Sequence, residues 1–502
     1  MSVFPVSFWA VVVIIIAGAI WSAQRIKDGT GIPLLAVLGT VSVWYVGDAF
    51  YNDYAGTYAK TFANDVLQDA WWEVALFLVV FLVAVPYMHQ WFNARYLHGQ
   101  SGVYQLARYG VDQPFLQRQM DVFFKICFAI YAVLVAIATL RIKGEMYYFF
   151  FPYLGYKPEP WGRGRIGTGF DSLLSLAEYI QMMVAAIFGV VAAVSTNRRT
   201  RIFAVILCAI AWPYYLFDRT RNTILAATIP AVLTWVFLRI RGSVFKKAAV
   251  LVVLFLLVNA WMAFIIQNRS NDSIVGAFQQ QGFDFKRESS VHHEGLNMYE
   301  ELCWINTFIK KGTYTPNWGA RYFAELVNPI PRSLWHGKPL IGIDYAIARG
   351  QGARGPDNLQ GAAGVYATIS TGMIGQGVVN FGDILGPAAA ALLMSFWVAV
   401  LARQDLQIAK LGRLPLYALG LILTFNLGRD ITLITLYPFV FGMAGLWWLD
   451  RYPPRWASLP ASHPAGGSVP PTRSASKPAP RQVRPVRTGL RPHVRPHGTR
   501  RP

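Results

Sequence analysis

Charge is what this chain has least of. Lys, Arg, Asp and Glu together make up 14% of its 502 residues, against about 25% in ordinary soluble domains. That scarcity excludes a cytoplasmic enzyme. Acidic residues are the scarcest, 26 in all, and the segment 451–502 contains none. Cysteine is also nearly absent. Cys127, Cys208 and Cys303 lie far apart, which excludes a disulfide framework and a cysteine-based metal site. The chain has no Gly-x-Ser-x-Gly elbow, no P-loop and no DxD-like metal–nucleotide motif. No segment on its inner side is large enough for a nucleotide-sugar domain.

Hydrophobic residues, by contrast, reach 54% and aromatic ones 15%. A bilayer core about 30 Å thick needs about 20 apolar residues per helix. Runs of that kind occupy 4–23, 33–50, 74–92, 122–140, 172–194, 202–217, 222–240, 248–267, 384–402, 414–428 and 431–449. They predict an all-α polytopic integral membrane protein with about 11 transmembrane helices. A β-barrel is excluded, because its strands would alternate apolar and polar residues. The first run has no basic segment ahead of it and reads as an anchor, not as a cleaved signal.

The net charge of +20 divides unevenly. The segment 451–502 holds eleven Lys or Arg, which leaves +9 for the other 450 residues. With the N-terminus outside, every inner loop is basic: Arg25 and Lys27; Arg95, Arg108 and Arg118; Arg198, Arg199 and Arg201; Arg241, Lys246 and Lys247; Arg403, Lys410 and Arg413. The positive-inside rule therefore places the C-terminus in the cytoplasm. The Pro/Arg-rich tail 450–502 has little to bury and reads as disordered, lying against the anionic leaflet.

The stretch 268–383 is too long for a structureless loop. Met298, Leu302, Ile305 and Ile309 recur at helical spacing and stop at Lys310-Lys311-Gly312. A second short helix is expected over Ala320–Val327, ending at Asn328-Pro329. The Gly-rich end, Gly361 to Gly386, is apolar enough to dip into the bilayer. Cations on this outer side need a reason. Arg219 and Arg221 occupy a tight turn, Arg163 and Arg165 lie in 141–171, and the late segment adds Arg321, Arg332, Lys338, Arg349 and Arg354. Guanidinium binds phosphate as a planar fork, so a lipid diphosphate headgroup suits such a cluster, as does simple pairing of Asp218 with Arg219 or Arg221. His292-His293-Glu294 lacks the spacing of a helical zinc site. Glu300 and Glu301 read as solvated acids on a helix face.

Three motifs in this order carry a resemblance. Asn328-Pro329-Ile330-Pro331-Arg332-Ser333-Leu334-Trp335-His336-Gly337-Lys338-Pro339 resembles the proline–arginine segment of bacterial oligosaccharide repeat-unit polymerases, the O-antigen polymerase (Wzy-type) family. Thr371 to Gly382, ending Asn380-Phe381-Gly382, is similar to the family's segment before a late span, and Asp218-Arg219-Thr220-Arg221-Asn222 to its arginine turn. Gln376 stands where the family usually has Glu, His336 replaces a common Pro, and the tail is outside the family pattern.

The resemblance implies a GT-C-like glycosyltransferase at the outer face of the bacterial inner membrane. It would polymerise polyprenyl-diphosphate-linked oligosaccharide into O-antigen, capsule or exopolysaccharide without metal or cofactor. Arg221 and Arg332 would be catalytic, and Arg219, Lys338, Arg349, Arg354 and Asn380 would bind substrate; the general base is unresolved, with His336 and Glu301 as candidates. The bilayer and a chain-length regulator are the further partners implied; nucleic acid is not. The regions are then helices in 1–267, an extracytoplasmic loop in 268–383, helices in 384–449 and the tail. An O-antigen ligase using the same donor, and a lipid-linked oligosaccharide flippase, are the rival readings.

Overall fold

The computed structural model describes residues 4–97, 99–142, 145–154, 157–161, 171–218, 221–240, 244–267, 297–328, 330, 334–339, 342–350 and 369–452. The chain divides into two compact units, Met1–Arg451 and Tyr452–Pro502. Beyond Tyr452, the second unit lies outside the described residues, and with it the expected tail.

Every element among the described residues is helical. In chain order the main helices are α1 (Val6–Gln24), α2 (Gly31–Tyr51), α3 (Asn64–Phe92), α4 (Pro114–Ile142), α5 (Asp171–Val194), α6 (Arg198–Leu216), α7 (Arg221–Leu238) and α8 (Val244–Gln267). There follow α9 (Met298–Lys310), α10 (Ala320–Val327), α11 (Ile343–Ala348), α12 (Met373–Leu406), α13 (Arg413–Leu427) and α14 (Leu433–Arg451). A helix thus lies on each of the eleven apolar runs. Seven of them, α1 to α5, α12 and α14, are long and apolar enough to cross a bilayer. In hydrocarbon a helix is the open-ended way to satisfy every backbone N–H and C=O within one segment, and these sequences supply the apolar surface for it.

The long helices alternate in direction, so their ends gather into two sets. At one end Lys27 O accepts from Ser101 N at 2.9 Å, the Asp405 carboxylate accepts from Val103 N at 2.8 Å, and Arg413 pairs with Asp450 at 2.7 Å. At the other end Asp48 meets the start of α9, and the turn between α13 and α14 meets the start of α7. We refer to this second set as the cap end. Between the two, α3 packs along α12, and α7 along α5 and α13. Phe8, Trp71, Phe77, Phe81 and Phe188 fill the middle.

The late segment differs from expectation in one respect: ahead of the span expected at 384 lies a further helical arm, in which residues 373–380 are all buried. The helix then breaks at Gly382, where φ is +83° and ψ −174°, a conformation reserved for glycine. The two arms fold back on each other. A Cβ on Gly377 would sit 2.1 Å from Gly386 O, so the backbones touch directly. The Gly-rich end is therefore a packed helical hairpin from Met373 onward; 361–368 lie outside the described residues.

Helix α10 forms where expected; it buries Arg321, Ala324 and Glu325 while Phe323 and Leu326 are exposed. Ile330, Leu334, Trp335 and Trp318 are also exposed nearby in the sequence. An inverted helix of this kind is what an apolar surround selects.

Candidate functional site

The end of α13 and the following turn, 428–432, are where two of the distant motifs meet. Gly372 and Met373 donate their amides to Arg429 O and Gly428 O at 2.9 and 3.1 Å. Gln376 forms an amide pair with residue 431: its Oε1 accepts from Ile431 N at 2.7 Å, and its Nε2 donates to Ile431 O at 3.2 Å. A glutamate could not supply that donor, so Gln376 acts here as a clamp. Asn426 Nδ2 donates to Asn222 O at 3.4 Å, which brings the first turn of α7 alongside. Arg221 is the first residue of that helix.

From the other side α10 projects two charged groups, i and i+4 on one face. Arg321 is 3% exposed, and its Nη2 lies 3.3 Å from both Asp430 Oδ1 and Ile369 O. Its Nε and Nη1 are buried with no hydrogen-bond partner among the described residues. Gly342, at the entrance to α11, covers the guanidinium so closely that a Cβ there would lie 3.3 Å from Arg321 Cζ. Asp430 Oδ1 also accepts from the amide and hydroxyl of Thr371 at 3.2 and 3.1 Å. A buried guanidinium with two open donors is costly. Donors of this kind are what an anionic group would satisfy.

Glu325 is 6% exposed, and its Oε2 accepts from the Thr432 hydroxyl at 2.5 Å. Burial pushes its carboxyl up to about 7, against the downward pull of the Thr432 hydroxyl and with the Asp430 charge adding to the rise. The Tyr322 and Tyr437 hydroxyls are buried without partners among the described residues. The cluster thus combines a fixed cation, a carboxyl that titrates near neutrality, and spare hydroxyls.

The sequence-predicted residues divide into two groups. Arg219, Arg332 and Arg354 lie outside the described residues, as does the Arg221 side chain. Arg163, Arg165 and His292-His293-Glu294 do so as well. The others are held by partners of their own. Lys338 is 4% exposed and donates to Asn328 O and Ile330 O at 2.9 and 2.8 Å, closing the proline-rich segment into a loop. Arg349 binds Glu301 Oε1 at 2.9 Å and Oε2 at 3.3 Å, and lies 4.6 Å from the centre of the Trp304 ring. Asn380 is buried; it donates to Gln376 O at 2.7 Å and accepts from Tyr322 N at 3.4 Å, joining the hairpin to α10.

One other reading is corrected. Glu301 is not a solvated acid but is 2% exposed, between Arg349 and the Tyr345 hydroxyl. Burial and that carboxylate together drive the Tyr345 phenol well above its usual range. Asp218 pairs with Lys157, whose ammonium also lies 4.3 Å from the Tyr214 ring centre; the pairing expected of Asp218 with Arg219 or Arg221 involves side chains outside the described residues. His336 is at the surface. Of the central cluster, Arg321 was visible as one outer cation among several, and Glu325 drew no notice. The available signal was their i, i+4 spacing on a helix whose other face is apolar.

No family model matches the chain, and no curated protein or solved structure matches it either.

Proposed function

We propose that this chain is a metal-independent membrane glycosyltransferase of the repeat-unit polymerase kind. It joins oligosaccharides carried on a polyprenyl diphosphate at the outer face of a bacterial inner membrane. In this reading the chain crosses the membrane eleven times, and the cap end faces outward. The loops at the opposite end carry Arg25, Lys27, Arg95, Arg108, Arg198, Arg199, Arg201, Lys246, Lys247, Arg403 and Lys410, which favours the cytoplasm for that end.

The observation that carries the reading is the Arg321 guanidinium, buried with two donors open among the described residues, at a junction that also includes the Asn222 backbone and Asn380. In the reaction the acceptor sugar's hydroxyl attacks the anomeric carbon of the growing chain. The bond from that carbon to the diphosphate breaks, and its electron pair leaves with the diphosphate. The charge that develops is anionic, and preorganised donors stabilise it at the moment it appears. Arg321 and, from the adjacent turn, Arg221 supply such donors. The exposed Phe323, Leu326, Leu334 and Trp335 suit a cap resting on the lipid from which the polyprenyl substrate arrives.

The test is a deletion strain. Loss of long glycan chains with single repeat units retained, reversed by the wild-type gene, supports polymerisation. Long chains that accumulate without attachment to lipid A core would indicate a ligase instead. An unchanged ladder would remove both readings.

A further inference from the structure

Among the described residues at the junction, Glu325 is a carboxyl that can take up a proton without breaking an ion pair. Arg321 lies one helical turn before it on α10, Asp430 and Thr432 face it from the turn between α13 and α14, and Tyr437 faces it from α14. Arg321 is committed to Asp430, while Glu325 is bonded to Thr432 through Oε2 alone among the described residues. The two bases suggested by sequence are less suited. Glu301 is held by Arg349 and Tyr345, and His336 sits at the surface.

We propose that Glu325 is the base of the transfer reaction, taking the proton from the acceptor sugar's hydroxyl while Arg321 holds the departing diphosphate. The inference rests on the polymerase reading and adds to it the residue that accepts the proton. In the step, the hydroxyl oxygen forms a bond to the anomeric carbon, its proton passes to the Glu325 carboxylate, and the carbon–oxygen bond to the diphosphate breaks.

Geometry favours the division of labour. Residues i and i+4 stand about 5–6 Å apart at Cβ. Both tips reach the same turn, Arg321 at Asp430 and Glu325 at Thr432, so a cation and a carboxyl are presented side by side. The Thr432 hydroxyl fixes one carboxylate oxygen. A base that titrates near the working pH is also the most effective one.

The experiment uses the full chain in proteoliposomes, supplied with a polyprenyl-diphosphate-linked repeat unit, and reads the rate of chain extension against pH. Wild type should show a rate that rises through about pH 7. Glu325→Gln should extend at least about 100-fold more slowly, with that rise gone, at unchanged protein level. Glu325→Asp should keep the rise at a reduced rate. Thr432→Ala, which removes the donor that favours the carboxylate, should move the midpoint upward, a response that a merely structural role would not give. Glu325→Gln with the wild-type rate and profile would overturn the assignment while leaving the polymerase reading intact. If Glu325→Gln does not fold, an unmoved midpoint in Thr432→Ala and a lost rise in Glu325→Asp overturn it equally. Wild type that forms no polymer would overturn the assignment and the polymerase reading together.

Discussion

The Asp48 carboxylate accepts the Tyr299 amide at 2.7 Å and the Glu300 amide at 3.2 Å. An acid near the end of the second helix thus caps α9, about 250 residues later in the chain. The same carboxylate takes the Tyr58 hydroxyl at 2.7 Å and the Asn52 amide at 2.5 Å. The first turn of a helix leaves its N–H groups unpaired, and here they are satisfied from across the fold. The contact is reinforced by Tyr299 stacked on Trp71 at 4.1 Å and by Lys310 paired with Asp65 and Asp69.

Removing this cap should loosen the late segment selectively. Asp48→Ala is expected to cost about 1–2 kcal/mol and to increase protease cleavage in 268–372. Asp48→Asn, which keeps an acceptor oxygen, should cost less. Thermal unfolding in detergent together with limited proteolysis measures both effects.

The Glu301–Arg349 pair gives a second prediction. Arg349→Ala strands a carboxylate that is 2% exposed and should destabilise the protein by about 3 kcal/mol. Replacing both partners, as Glu301→Gln with Arg349→Met, should recover much of that loss, because no buried charge is left unpaired. A double-mutant cycle on unfolding free energies reads the coupling directly. Additive losses would show that the pair does not act as a unit.

The hairpin at Gly382 gives a third. At Gly377 any side chain meets the Gly386 backbone, so Gly377→Ala must force the two arms apart. The expected cost is at least about 2 kcal/mol. Gly386→Ala should behave alike, while Gly445→Ala, where nothing lies within 4 Å, should be nearly neutral. Comparing the unfolding midpoints of the three variants checks this.

These elements show where sequence reading succeeds and where it stops. Apolar runs of about twenty residues report helices reliably, and each has one, because hydrocarbon leaves the backbone no other choice. The periodicity of Met298, Leu302, Ile305 and Ile309 likewise reports α9. What local pattern lacks is the partner. Glu301 looks solvated until Arg349 is folded onto it, and Asp48 looks isolated until α9 arrives. Residues 373–380 fall in the segment 268–383 that reads as an outer loop, whereas in the fold their glycines permit close contact between the two arms. In α10 the usual rule points the wrong way. Phe323 and Leu326 look like the core face, but in apolar surroundings the charged face turns inward, and Arg321 and Glu325 go with it.

The central claim is that Arg321 serves an anionic leaving group. The most direct measurement is the rate at which the purified protein in proteoliposomes extends a polyprenyl-diphosphate-linked repeat unit, for wild type, Arg321→Lys and Arg321→Ala at equal protein level. The account predicts a polymer ladder with wild type, a loss of about 100- to 1000-fold with Arg321→Ala, and a smaller loss with Arg321→Lys. A wild-type rate with Arg321→Ala, or no polymer from the wild type, would contradict it.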